Sequence, residues 1–223
     1  MAFTYVNYQF GDLGAVSSDP SIAIDIGTRT NGLLIVGVLW YLQADLIGVS
    51  YDSVSMTGFG EVESASSVYL ETFYLENPSN GSNNLVINFV GDNNQLVRYC
   101  AFWFDGADQT TQPDYSGATD RLGTGDPTLS LTTNNNGSLM VAMECNEINE
   151  DPAIGSNGTE VYSYYATGRG QGWSYIVQPT AGSTTLDWNL TAETDWWAMS
   201  GGALNEAAAA EAIVGPFPTF IHT

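Results

Sequence analysis

A single histidine, His222, stands next to last in a chain of 223 residues. A Ser-His-Asp relay needs an imidazole held firmly between nucleophile and carboxylate, and a penultimate residue is poorly held. Cys100 and Cys145 have no second histidine to draw off a thiol proton, so cysteine nucleophiles fall by the same reasoning. Paired carboxylates could hydrolyse glycosides, with Glu61/Glu63, Glu71/Glu76 and Glu144/Glu147 as the candidate pairs. Such pairs arise by number alone where Asp and Glu total 25 against 4 basic residues. Gly168-Arg-Gly-Gln-Gly172 lacks the strand-to-helix setting of a phosphate loop. The expectation is a protein that is not an enzyme, with a glycoside hydrolase as the weakest alternative.

Two kinds of binding chemistry remain. Asp105, Asp108 and Asp114, followed by Asp120 and Asp126, crowd two adjoining loops rich in Gly and Asn. Calcium takes six to eight oxygens and suits such loops, yet neither EF-hand nor Gly-Asp nonapeptide spacing is present. Glu144, Glu147, Glu150 and Asp151 form a second acidic run of the same kind. Calcium is the one cofactor the residues suggest; the bland reading is a solvated acidic loop. The second chemistry is aromatic. Sugar rings stack on exposed Trp and Tyr, and Tyr162, Tyr164 and Tyr165 with Trp173 are the first candidates for such a platform.

The formal charge is −21, from four arginines and no lysine. That excludes general nucleic-acid binding, which needs rows of cations against phosphates, and disfavours anionic membranes. No apolar run reaches 18 residues; the longest, Leu33 to Leu42, has strand length. The N-terminal segment lacks the basic and apolar regions of a secretory signal, so ordinary export is not expected. The sequons at Asn80, Asn136, Asn157 and Asn189 carry little weight without secretion. A disulfide between Cys100 and Cys145 requires neighbouring strands, and the sequence leaves both redox states open.

The elements that must position these residues read as strands. Apolar runs recur at Ile22 to Ile26, Leu33 to Leu42, Ile47 to Met56, Val68 to Leu75, Leu85 to Val90, Val97 to Phe104, Leu129 to Thr132, Leu139 to Cys145, Tyr162 to Tyr165, Trp173 to Val177, Thr185 to Leu190 and Trp196 to Leu204. Asn-Gly and Asn-rich turn clusters separate them. Leu85, Ile87 and Phe89 share one face of their strand, as do Leu186, Trp188 and Leu190. The fold expected is all-β: about twelve short strands in two packed antiparallel sheets, a jelly-roll sandwich over residues 1–204. Asn205 to Ile213 is Ala-rich with an Asn cap and predicts a short helix. An extended tail follows, and residues 205–223 read as a helix and docking arm with Ile213, Phe217, Phe220 and Ile221 as its apolar contacts.

Several stretches carry a family resemblance. They are Asn31 to Val38, Val49 to Thr57, Val68 to Pro78, Ala101 to Pro113 with its Asp-Gln-Thr-Thr-x-Pro turn, Gly137 to Met143, Leu186 to Thr191 and Trp196 to Met199. In this order they resemble a jelly-roll domain family found in tailed-phage structural proteins and bacterial surface proteins, over about residues 20 to 205. The resemblance implies a concanavalin-like β-sandwich and no catalytic residues. Bacterial members usually carry an export signal, which favours the viral branch here.

The functional expectation is therefore a non-enzymatic virion structural protein of a tailed phage at the virion surface. A capsid decoration protein or head fibre comes first and a tail component next. Its partners would be other virion proteins and further copies of itself, docked through the C-terminal arm or the strand-like segment Phe3 to Phe10. The alternative is a carbohydrate-binding module for cell-surface glycans, with or without calcium.

Overall fold

The computed structural model describes residues 2–41, 46–63, 68–90, 95–122, 125–146, 152–166, 169–190 and 197–208. The first half forms β1 (Thr4–Val16), β2 (Ser21–Asp25), β3 (Leu33–Tyr41), β4 (Leu46–Tyr51), β5 (Val54–Ser55), β6 (Thr57–Gly58), β7 (Val62–Glu63), β8 (Val68–Glu76), β9 (Ser82–Phe89) and β10 (Gln95–Asp105). The second half forms β11 (Tyr115–Leu122), β12 (Thr128–Thr133), β13 (Ser138–Asn146), β14 (Ala153–Ile154), β15 (Thr159–Ala166), β16 (Arg169–Gln178), β17 (Gly182–Asn189) and β18 (Trp197–Leu204). Every pairing among these strands is antiparallel. The all-β expectation holds, but four sheets replace the expected two.

The first half builds an inner sheet, β1-β10-β3-β8-β6 with β7 also on β8, and an outer sheet, β2-β9-β4-β5. The second half builds an inner sheet, β11-β18-β13-β16-β15, and an outer sheet, β12-β17-β14. The order β1-β10-β3-β8 over β2-β9-β4 thus recurs as β11-β18-β13-β16 over β12-β17-β14. The chain is a structural duplication.

Three apolar layers hold four sheets together. Leu34, Val36, Val38 and Trp40 meet Ile24, Val49, Leu85 and Ile87 between the first outer and inner sheets. Leu33, Ile35, Leu39, Cys100 and Phe102 meet Leu139, Val141, Met143 and Trp173 between the two inner sheets. Met140, Ala142 and Met199 meet Leu129, Leu186 and Trp188 in the second half. Strands β3 and β13 are consequently buried at all nine positions, which is why they read as continuous apolar runs instead of alternating ones. Strands β9 and β12, each facing solvent on one side, alternate.

The N-terminal segment does not dangle. It is β1, paired along its length with β10. Register shifts between Tyr5 and Asn7 and between Asp12 and Gly14 mark two bulges. Each adds a residue, Val6 and then Leu13, that turns to the outer layer. Tyr5 and Phe10 therefore pack on the same central layer although their numbers differ in parity. One side of the β1 ladder is spent on β10, and as the end strand of its sheet β1 carries no further strand on the other side among the described residues.

The expected helix from Asn205 is also corrected. No helix occurs among the described residues. A helix N-cap offers its carbonyl to the first intrahelical bond, and the Asn205 carbonyl is already taken by Asp108 N–H at 2.9 Å and Gln112 Nε2 at 2.8 Å. Asn205 N–H donates to Gln112 Oε1 at 2.7 Å, and its side-chain amide donates to the Thr111 carbonyl. Glu206 makes a β-bridge with Ala107, and Ala207 N–H donates to the Gly106 carbonyl at 2.7 Å. The Asp-Gln-Thr-Thr-x-Pro turn, which joins the halves, thereby latches the chain end. Residues 209–213 of the expected helix, and Ile213, Phe217, Phe220 and Ile221 of the arm, lie outside the described residues.

Candidate functional site

The four residues expected to form a sugar platform divide between three environments. Trp173 is fully buried between the inner sheets, its indole against Gly37 and Met143 from opposite layers. Tyr162 and Tyr164 alternate with Ser163 on β15 and lie half-buried along the open edge of this central layer. Tyr165 pairs with Gly170 and takes the opposite face of the strand. The partners of Tyr162 and Tyr164 come from β1, across the seam between the halves. Tyr8 stacks on Tyr162 at 5.3 Å between ring centroids, and Phe10 lies 4.7 Å from both Tyr162 and Tyr164. Further along, Tyr5 stacks on Tyr175 at 5.5 Å. Burial pushes the Tyr5 phenol up to about 12, with the neighbouring Cys100, Tyr175 and Tyr8 adding to the rise. The aromatic surplus closes the seam between two halves; only its rim, led by Tyr8 at 36% exposure, faces solvent.

One end of the seam is polar. Arg98 on β10 pairs with Asp12 of β1, Nε to Oδ2 at 3.0 Å, and donates to the Ala166 carbonyl of the second half at 3.1 Å. Its guanidinium lies over Tyr164 at 5.3 Å and Tyr41 at 5.9 Å. Tyr164 donates its hydroxyl to Asp12 Oδ2 at 3.4 Å. Arg169, at the start of β16, stacks on the other ring position of this cluster, 4.3 Å from the Tyr41 centroid. Burial raises the Tyr41 phenol, against the opposing pull of Arg98, whose Nη1 donates to the Tyr41 hydroxyl oxygen at 3.5 Å. Two of four arginines thus converge on one tyrosine in a chain of charge −21. Sequence reasoning missed Tyr8, Phe10, Asp12, Arg98, Tyr41 and Arg169. The signal available was rarity: a chain this short of cations places two inside or beside strands, where each needs a stated partner.

The three candidate calcium ligands do not converge. Asp105 accepts Thr30 N–H at 2.9 Å and pairs with Arg29 at 3.5 Å. Asp108 accepts the Thr111 and Thr110 hydroxyls at 2.7 and 2.8 Å with their backbone N–H groups. Those hydroxyl bonds lower its carboxyl below the ordinary value. Asp114 is buried and accepts Asn134 N–H, Asn135 N–H, Asn135 Nδ2 and Ser138 Oγ, the last at 2.6 Å. Each carboxylate organises its own turn. Asp126 does likewise, accepting Leu190 N–H at 2.8 Å. Among the described residues no three His, Cys, Asp or Glu side chains gather as a metal site would require. Glu147, Glu150 and Asp151 lie outside the described residues.

Two carboxyls stand apart from these. Glu144 is fully buried on β13, facing the second outer sheet, and burial raises it well above the usual range against one bond from Asn146 Nδ2 at 3.2 Å. Glu71 on β8 accepts Gly60 N–H at 3.3 Å, and burial pushes it up to about 7. The nearby Glu61 carboxylate adds to the rise at Glu71. Cys100 and Cys145 sit on different inner sheets as buried thiols without a disulfide between them. No family model, curated protein or solved structure matched this chain.

Where β18 ends, an open cavity of about 260 Å³ lies between Asn31, Ala107, Asp108, Gln109, Thr110, Ala207 and Ala208.

Proposed function

We propose that this protein is a non-enzymatic structural protein of a tailed-phage virion, displayed on the particle surface as two jelly rolls in tandem. The observation that carries the reading is the doubled strand order. In each half, first, last and third major strands lie side by side in one sheet while second, penultimate and fourth lie in the sheet facing it. That interleaving supports a jelly-roll reading, an arrangement used by viral capsid and lectin domains. The resemblance over residues 20 to 205 points to the same class. A capsid decoration protein or head fibre is the favoured placement, with a tail component next. The charge of −21 keeps copies apart at high density on a lattice. The segment beyond Ala208, with Phe217, Phe220 and Ile221, serves as the anchor to capsid or tail subunits or to further copies.

The test is co-sedimentation with the parent particle of the full chain and of a variant ending at Ala208, which retains the Asn205 latch and the Ala107–Glu206 bridge. The full chain is expected to bind particles or form a defined oligomer, and the shortened chain to do neither. Two monomers that both ignore the particle would overturn the reading.

A further inference from the structure

The polar end of the seam holds two side chains with buried polar atoms that no partner takes up. The Arg169 side chain has its Nε buried without a hydrogen-bond partner, and among the described residues no carboxylate pairs with it. Two positions on, Gln171 points to the same face of β16, is fully buried, and has both amide atoms without a partner. A buried amide or guanidinium stripped of water and given nothing in return is costly. Around these two stand Tyr41, Arg98 and Tyr164, with Asp12 already committed to Arg98 and Tyr164. Counting these groups, two guanidiniums against one carboxylate leave a local charge of about +1 within a strongly acidic molecule.

We propose that this end of the seam binds a single carboxylate, carried by a small acid or by an acidic sugar. A guanidinium presents parallel N–H groups that match the two oxygens of a carboxylate, and an amide N–H alongside supplies a third donor. Arg169 is partly exposed and gives the route in; Gln171 lies one step deeper. The exposed ring of Tyr8 and the half-buried rings of Tyr162 and Tyr164 continue outward from the same place and offer flat faces to a sugar ring. The long-range field of the protein repels anions, so only short-range contacts of this kind can retain one.

The test uses the full ¹⁵N-labelled chain at pH 7 and constant ionic strength. The four arginine Nε–H resonances are followed while acetate, glucuronate, glucose or chloride is added. Saturable movement of the Arg169 signal with acetate and glucuronate, but not with glucose or chloride, supports the site. Equal affinity for the two acids identifies a free carboxylate as the ligand. About tenfold tighter binding of glucuronate identifies an acidic sugar stacked on the tyrosines. Arg169→Gln is expected to weaken both acids at least about tenfold, through loss of a charge-assisted pair. Gln171→Leu, an apolar replacement at a buried position, should keep the fold and still weaken binding. No saturation with either acid, an equal response to chloride, or unchanged affinity in both variants would overturn the proposal.

Discussion

At Gly37 the two halves approach closely across the central layer, and its replacement by alanine tests whether they form one cooperative structure. A Cβ at this position would lie 2.4 Å from Trp173 Nε1 and 2.9 Å from Met143 Sδ. The first distance falls about 1 Å short of an ordinary contact. Met143 can yield, being flexible. Trp173 cannot, because Phe10 packs on it at 5.7 Å and Tyr162 at 6.3 Å, and it is fully buried. Overpacking of this kind costs about 2 kcal/mol, which for a chain of this size lowers Tm by about 4–8 °C. Trp173→Phe shortens the opposing ring and should cost about 1–2 kcal/mol alone. The double variant should then cost at least about 1 kcal/mol less than the sum of the singles. Urea unfolding, followed in parallel by tryptophan fluorescence and circular dichroism, measures all four species. A Gly37→Ala cost within about 0.5 kcal/mol of zero, strict additivity, or separate transitions for the two halves would refute the shared central layer.

Glu71 makes stability fall as pH rises. Its carboxyl is raised from 4.5 to about 7 in the folded chain, so the native state holds a proton that the unfolded state has released. The contribution is complete below about pH 4.5 and is lost by about pH 7. The full shift would amount to about 3 kcal/mol, and solvent screening at this partly open site reduces it to about 1–2 kcal/mol. Glu71→Gln should flatten that part of the Tm-against-pH curve; an unchanged slope would remove Glu71 as its source. Asp114→Ala orphans the Asn134 and Asn135 N–H groups and leaves the Ser138 hydroxyl only the Asn135 carbonyl, and should cost about 2–4 kcal/mol in urea unfolding. Millimolar calcium should leave Tm of the unaltered protein where it was, because Asp105, Asp108 and Asp114 each serve a separate turn. A calcium-dependent rise in Tm would show that the acidic loops rearrange around the ion.

The layering was written in the strands before any pairing was known. Leu33–Tyr41 and the Leu139–Met143 core of Ser138–Asn146 are continuously apolar because inner sheets are covered on both faces. The alternation in Ser82–Phe89 and Thr128–Thr133 marks sheets with one wet face. Two kinds of strand pattern therefore implied more than two sheets, a distinction that counting strands alone passes over. The bulges in β1 left no comparable mark. Strict alternation separates Tyr5 from Phe10, and only the pairing with β10 reveals the extra residue, Val6, that brings them to one face. Asn205 was misread for a related reason. Its type and the following alanines suit a helix start, but local propensity is weak beside five hydrogen bonds to the joining turn and the Asn134–Ser138 turn.

Composition and period determined by themselves that this is an antiparallel all-β chain without the cations for nucleic acid, since those properties follow from residue type and spacing alone. Whether Trp173 met solvent or a neighbouring sheet, and whether Arg98 and Arg169 stood apart or together, depended on strands distant in sequence. Tyr41 and Arg169 meet only because the two halves lie face to face, and no local pattern carries that information.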